Sequence, residues 1–222
     1  MKQASNPVNA PVPEGSVRRA ASARGPQGLD DPEWEAADAL TVSEYWSGES
    51  APPERHCEAR ILWSDTGLHV RFHAVQAEPP VVAKEPVLDR KTPRLWERDV
   101  CEIFIAPGEK DPFRYLEFEV APTGEWLDLA IEHEKDERAT DWDFRSGMSA
   151  VGRIGEGSVG MAVTVPWDAF GVKPEPGDIW RGNLLRAVGS GEDRGYLAWS
   201  PTLTERPDFH VPQRFGKFVF CG

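Results

Sequence analysis

The chain has 222 residues, 40% of them hydrophobic, enough for one domain of β-sandwich size with a real core. Its formal charge of −12 argues against nucleic acid and anionic membrane as partners, because both require clustered Lys and Arg. No apolar run is long enough to span a bilayer.

Residues 1–27 are rich in Pro, Ala, Ser and Asn without an apolar period and read as a flexible leader, leaving 28–222 as the domain. The N-terminus shows no hydrophobic signal segment, so the chain as written is expected to stay in the cytoplasm unless its start site conceals an export segment. In 28–46, Asp31 is placed to cap a turn starting at Pro32, and Trp34, Ala37 and Leu40 recur at helical spacing. A hairpin follows. Cys57, Ala59, Ile61 and Trp63 alternate, Asp65-Thr66-Gly67 turns, and Leu68, Val70, Phe72 and Ala74 alternate again. Further strands are predicted over 100–106, 113–120, 125–131, 149–154, 158–165, 181–188, 195–200 and 216–221, with one helical turn at 166–171 between Pro166 and Gly171. Nine Trp, twenty Gly and twenty Pro fit many short strands joined by turns. The expected fold is all-β, an antiparallel β-sandwich with one or two short helices. Cys57, Cys101 and Cys221 are odd in number, and the first two fall within predicted strands, so no disulfide framework is expected.

Alternation sorts the side chains by face. Cys101, Ile103 and Ile105 oppose Glu102; Leu116, Phe118 and Val120 oppose Tyr115, Glu117 and Glu119; Leu127, Leu129 and Ile131 oppose Trp126 and Asp128; Arg186 shares a face with Leu184 and Val188. If these strands share one sheet with 67–75, a second face collects His69, Arg71, His73, the glutamates, Trp126 and Asp128, with Arg186 as a further candidate. A solvated outer face is the plain reading. The mixture of carboxylates, guanidinium and rings also suits a sugar, whose apolar C–H face stacks while its hydroxyls bond charged groups.

Five stretches in order, LWERDVCEIFIAP (95–107), YLEFEVAPTGEWLD, WRGNLLR, YLAWSPT and PDFHVPQRFGKFVF, resemble the family 9 carbohydrate-binding modules and their single-domain relatives in the DOMON-like group. The resemblance covers most of 28–222. It implies a jelly-roll-like β-sandwich that binds the reducing-end unit of glucans or xylans without catalysis, between two aromatic rings, with structural calcium in some members and separate glycoside hydrolases as partners. On the W-x-x-D-x-x-E-x-F pattern it implies Trp96 as one ring, Asp99 as a structural aspartate and Glu102 as a polar contact. Phe209, before P-x-x-F-G, takes the second ring's place where better-studied members carry tryptophan, with His210 and Arg206 beside it. Arg186 stands where those members have an amide, and Glu119 where they have a basic residue. The ligand-binding set is therefore Trp96, Glu102, Glu119, Arg186, Phe209 and His210.

Other readings stay open. Trp96 as a sandwich-edge cover is one. A glycoside hydrolase would pair Glu102 with Glu119 or Glu117. A haem-binding DOMON-like domain would draw on Met148, Met161, His69 and His73. The stretch EHEKDERATDWD offers Glu132, Glu134, Asp136, Asp141 and Asp143 for calcium, but lacks EF-hand spacing and reads first as an acidic loop.

Overall fold

Strict alternation along the chain resolves into short strands. In chain order these are β1 (Glu14–Arg19), β2 (Ala39–Val42), β3 (Glu44–Tyr45), β4 (Cys57–Trp63), β5 (Gly67–Val75), β6 (Val100–Ala106) and β7 (Arg114–Val120). Then follow β8 (Trp126–Glu134), β9 (Glu137–Asp141), β10 (Ser149–Gly155), β11 (Ser158–Pro166), β12 (Ile179–Val188), β13 (Gly195–Ala198) and β14 (Gly216–Phe220). The computed structural model describes residues 11–134 and 137–222. One sheet runs β10-β11-β5-β4 with β2 beside β4; the other runs β14-β12-β6-β7-β8-β9, with β13 and then β3 added beside β12. Both are antiparallel within themselves.

β1 joins the two. Residues 14–17 lie parallel to β14, and Arg18 and Arg19 then pair in parallel with Leu62 and Trp63 of β4. The expected leader of 1–27 therefore contains a strand, and Val17 in it is fully buried. EGSVRR has one apolar residue, and its partners lie far along the chain, so no local alternation announces it. The expected short helices are single 3-10 turns. At Pro32–Ala36 the Asp31 carboxylate accepts from Glu33 N at 2.9 Å, and Trp34 is buried. At Trp167–Ala169, Pro166 opens the turn and Gly171, with φ of 65°, follows it.

The main core fills the space between the sheets, with Ile61, Val70, Phe72, Ile103, Phe118, Met161 and Phe218 at its centre. Cys57 and Cys101 meet there as free thiols, their Sγ atoms 3.8 Å apart. A second apolar layer covers the opposite face of β6, β7, β8 and β12, built from Phe104, Tyr115, Leu127, Leu129, Ile131, Leu185 and Phe215. That is why β6 is buried at every position, the mark of a strand covered on both faces.

Arg186 is the main correction among the expected site residues. It pairs with Cys101 in register, so it points between the sheets with Leu184 and Val188, only 2% exposed. One guanidinium nitrogen donates to the carbonyls of Arg55, His56 and Val75 at 2.7, 3.1 and 2.9 Å, and the other to Gln76 Oε1 at 2.6 Å. Gln76 Nε2 in turn donates to Asp99 Oδ2 at 3.1 Å, while Asp99 Oδ1 accepts from Gly189 N at 2.8 Å. Every acceptor is protein, so the side chain is structural, and Asp99 fixes its bend as the sequence pattern implies.

Replacing Arg186 by Met keeps the apolar stem but leaves these carbonyls and Gln76 Oε1 without their donor. The Arg186→Met variant is expected to lose roughly 3 kcal/mol or more of unfolding free energy in urea titration. An unchanged midpoint would show that the network contributes nothing.

Candidate functional site

A cavity of about 290 Å³ opens on the second apolar layer. Its floor is Glu102 of β6, Glu117 of β7, Leu129 and Ile131 of β8 and Ala187 of β12; its walls include Trp96, Trp142, Tyr196, Phe209 and His210, with Arg138 and Thr140 of β9 and Pro207 and Asp208 at the loop side. Five rings around a carboxylate floor give both a stacking surface and hydrogen-bond acceptors.

Trp96 rides on a 3-10 turn, Leu95–Glu97, entered through Arg94 at φ of 60° and plugged by fully buried Leu95. Arg194 anchors the turn, donating to the carbonyls of Trp96 at 2.7 Å, Arg98 at 2.6 Å and Gly189 at 2.5 Å. The Trp96 and Trp142 rings lie 6.0 Å apart, tilted by 48°. Phe209 meets Tyr196 edge-on at 6.0 Å. His210 packs on Phe104 at 5.0 Å and shares a 2.7 Å hydrogen bond between its Nδ1 and the Tyr115 hydroxyl. Asp208 Oδ1 accepts from His210 N at 2.9 Å, so a local side-chain turn holds this loop over the floor.

The floor is electrostatically unusual. Glu102 and Glu119 are direct cross-strand partners, and Glu117 shares their face on β7. All three are at most 3% exposed. Glu117 Oε2 and both carboxyl oxygens of Glu119 lack a hydrogen-bond donor among the described residues. Burial pushes Glu117 up to about 7, while Glu102 and Glu119 are raised well above the carboxylate range, first by burial and then by repulsion from neighbouring carboxylates. His210 Nε2 lies 3.9 Å from Glu117 Oε2, but burial depresses His210 to about 3 and leaves it neutral. Protons, rather than a protein cation, therefore neutralise much of this floor.

Trp96, Glu102, Phe209 and His210 of the expected set meet at this one cavity; Glu119 lies sealed beneath it, and Arg186 is elsewhere. Two face assignments change as well. The register Val120↔Trp126 places Leu127, Leu129 and Ile131 on the cavity face, with Trp126 and Asp128 on the opposite one. β5 belongs to the other sheet, so His69, Arg71 and His73 never join the glutamates. His69 is fully buried, hydrogen-bonded to Ser64 Oγ at 2.8 Å and Thr164 Oγ1 at 3.0 Å, beneath a loop at Gly25. A Cβ on Gly25 would meet its Nε2 at 2.2 Å.

Trp142, Tyr196, Arg138 and Thr140 are cavity residues that the strand reading passed over, chiefly because 132–143 reads as an acidic loop although β9 lies within it. Within that stretch Asp141 Oδ1 accepts from the backbone of Asp143 and Phe144, and Glu132 pairs with Arg114. Asp136 and the Glu134 carboxyl lie outside the described residues, among which no three His, Cys, Asp or Glu side chains converge as metal ligands. Of the haem candidates, Met148 and Met161 belong to the core, whereas His69 and His73 lie on the outer face of β5.

The raised Glu117 value fixes a pH dependence. Between 4.5 and about 7 the unfolded chain releases this proton while the folded chain keeps it, so stability is full below 4.5 and falls as pH rises through about 7. A shift of that size corresponds to roughly 3 kcal/mol. Glu117→Gln is expected to lose distinctly less stability than wild type between pH 4.5 and 8 in calorimetric melts; equal losses would count against the buried, protonated carboxyl.

Residues 33–220 match the model of the family described as Carbohydrate-binding family 9. A relative from Arthroderma benhamiae, named "Extracellular protein", is 31% identical over 140 residues, which is 57% of this chain and 62% of that protein; the aligned part thus spans under two thirds of the relative's length. Among solved structures, an inferred carbohydrate-binding protein from Bacteroides uniformis superposes with a TM-score of 0.72 at 22% identity, covering 93% of this chain and 98% of that one. Two structures of a family 9 module from Caldicellulosiruptor kristjanssonii are similar at 14% identity. The one with cellotriose has a TM-score of 0.61 and covers 95% of this chain and 94% of its own; the one with glucose scores 0.63, at 93% and 96%. The structures share the fold, the sequence match spans nearly all of it, and the chain belongs to carbohydrate-binding family 9.

Proposed function

We propose that the cavity binds the terminal unit of a mono- or oligosaccharide of glucan or xylan type, stacked against Trp96 and Phe209 with its hydroxyls toward Glu102 and Glu117. The observation that carries this reading is the convergence of both rings and both carboxyls on one cavity. At about 290 Å³ it is small among ligand pockets, which suits an end unit rather than a running polymer. The glucose and cellotriose held by the similar family 9 module support a glucose-like ligand.

The proposed role is recognition without turnover, in support of separate glycoside hydrolases. A hydrolase needs two accessible carboxyl groups flanking the scissile bond. Glu119 is sealed, and Glu102 and Glu117 lie together on one face of the floor, so neither stands across a bound sugar from the other.

Calorimetric titration with glucose, xylose and cellotriose is expected to give saturable heats. A stacked ring is worth about 0.5–1.5 kcal/mol beyond its burial, so Trp96→Ala and Phe209→Ala should each weaken binding by about threefold or more. No reducing ends should appear on prolonged incubation with β-glucan. Absence of heat with every sugar, or equal heats for wild type and Trp96→Ala, would overturn the proposal.

A further inference from the structure

We infer that the preferred ligand of this cavity is an amino sugar, a saccharide carrying a free protonated amine, with its ammonium group seated between Glu102 and Glu117. The inference rests on the saccharide-binding reading and adds a charge to it. Glu102 and Glu117 both open into the cavity, and Glu119 stands directly behind them. Glu117 is 3% exposed and its Oε2 has no hydrogen-bond donor among the described residues. A carboxyl trio enclosed in this way holds three potential negative charges that hydroxyl donors alone do not neutralise. An ammonium group supplies three donors and a full positive charge in one small tetrahedral head, and such charge-assisted bonds are about twice as strong as neutral ones.

The groups facing the floor leave that position open. From the loop above, His210 is neutral and bound to Tyr115, and Asp208 adds negative charge. From β8, His133 has its own contact with the Tyr115 hydroxyl at 3.2 Å. The Arg194 guanidinium is directed at three backbone carbonyls, and its charge only partly offsets the upward push of burial on Glu102. Arg138 of β9 is exposed at the wall; its charge lowers the proton affinity of Glu117, but among the described residues it forms no salt bridge with a floor carboxyl. The overall charge of −12 draws a cationic sugar toward the protein at low salt. Seating the ammonium also favours the ionised form of Glu117, whose proton, held near pH 7 in the empty cavity, then leaves to solvent.

The test compares glucosamine, glucose and N-acetylglucosamine by calorimetry at pH 6.5, using the full chain. Glucosamine is expected to bind about tenfold or more tightly than glucose, and acetylation, which removes the charge, is expected to abolish that advantage. The advantage should shrink in high salt, and glucosamine but not glucose should release protons, read as a heat that varies with buffer ionisation enthalpy. In Glu117→Gln the ratio of the two affinities should fall toward one. Should that variant fail to fold, the salt and proton-release measurements on the wild type decide alone. Glucose binding as tightly as glucosamine, without proton release, would sink the amino-sugar inference while leaving saccharide binding intact. No binding of any of the three would remove both.

Discussion

A guanidinium sealed between two sheets sets the geometry on which everything else hangs. Arg186 reaches from β12 across the interior to the carbonyls of Arg55, His56 and Val75, tying the start of β4 and the end of β5 to the opposite sheet. Through Gln76 it connects to Asp99, and through Asp99 to Gly189. The carbonyl of that same glycine receives Arg194, which also holds the turn carrying Trp96. The ring at the cavity rim is therefore the far end of a chain of hydrogen bonds that begins inside the sandwich. Its position follows from interior order rather than from the surface turn alone.

The protein buries charge in two contrasting ways. Arg186 is surrounded by acceptors, as a buried cation must be. Glu102, Glu117 and Glu119 are enclosed together, Glu117 and Glu119 with oxygens that find no donor among the described residues, and protonation takes the place of a partner. A fold selected for stability alone has no use for three adjacent carboxyls on a face otherwise made of Phe104, Leu129 and Ile131. Local rules are broken where a protein works, and the breach here coincides with the aromatic-walled cavity.

Much of this was legible in the sequence because alternation is a local signal. The hairpin of β4 and β5, the strand holding Glu102 and the caps at Asp31 and Pro166 all follow from residues within a few positions of one another. What escaped depends on distant partners or on a second core. EGSVRR cannot announce a strand whose neighbours are β14 and β4. The apolar residues of β8 read as facing the main core because nothing local reveals that the other face of the sheet is apolar too. Arg186 shares the face of Leu184 and Val188, and that pattern places it correctly; its charge and the family resemblance, which sets it where other members carry a binding amide, point to the site instead. Trp142 enters the cavity from a turn just after β9 that no strand periodicity reaches, and Tyr196 from the short strand β13, whose alternation alone does not mark it as a cavity wall.

β1 has a consequence for how the molecule forms. Glu14 pairs with Lys217, a separation of 203 residues, and this is the junction through which the two sheets become one continuous structure. β1 makes its longer pairing only once β14 is in place, so the two sheets are joined through partners that lie far apart in the chain. Contacts of such long range make folding slow relative to hairpin formation. Without β1 in place the edge of β4 at Leu62 and Trp63 is unpaired on that side, an open edge suited to erroneous pairing with another chain.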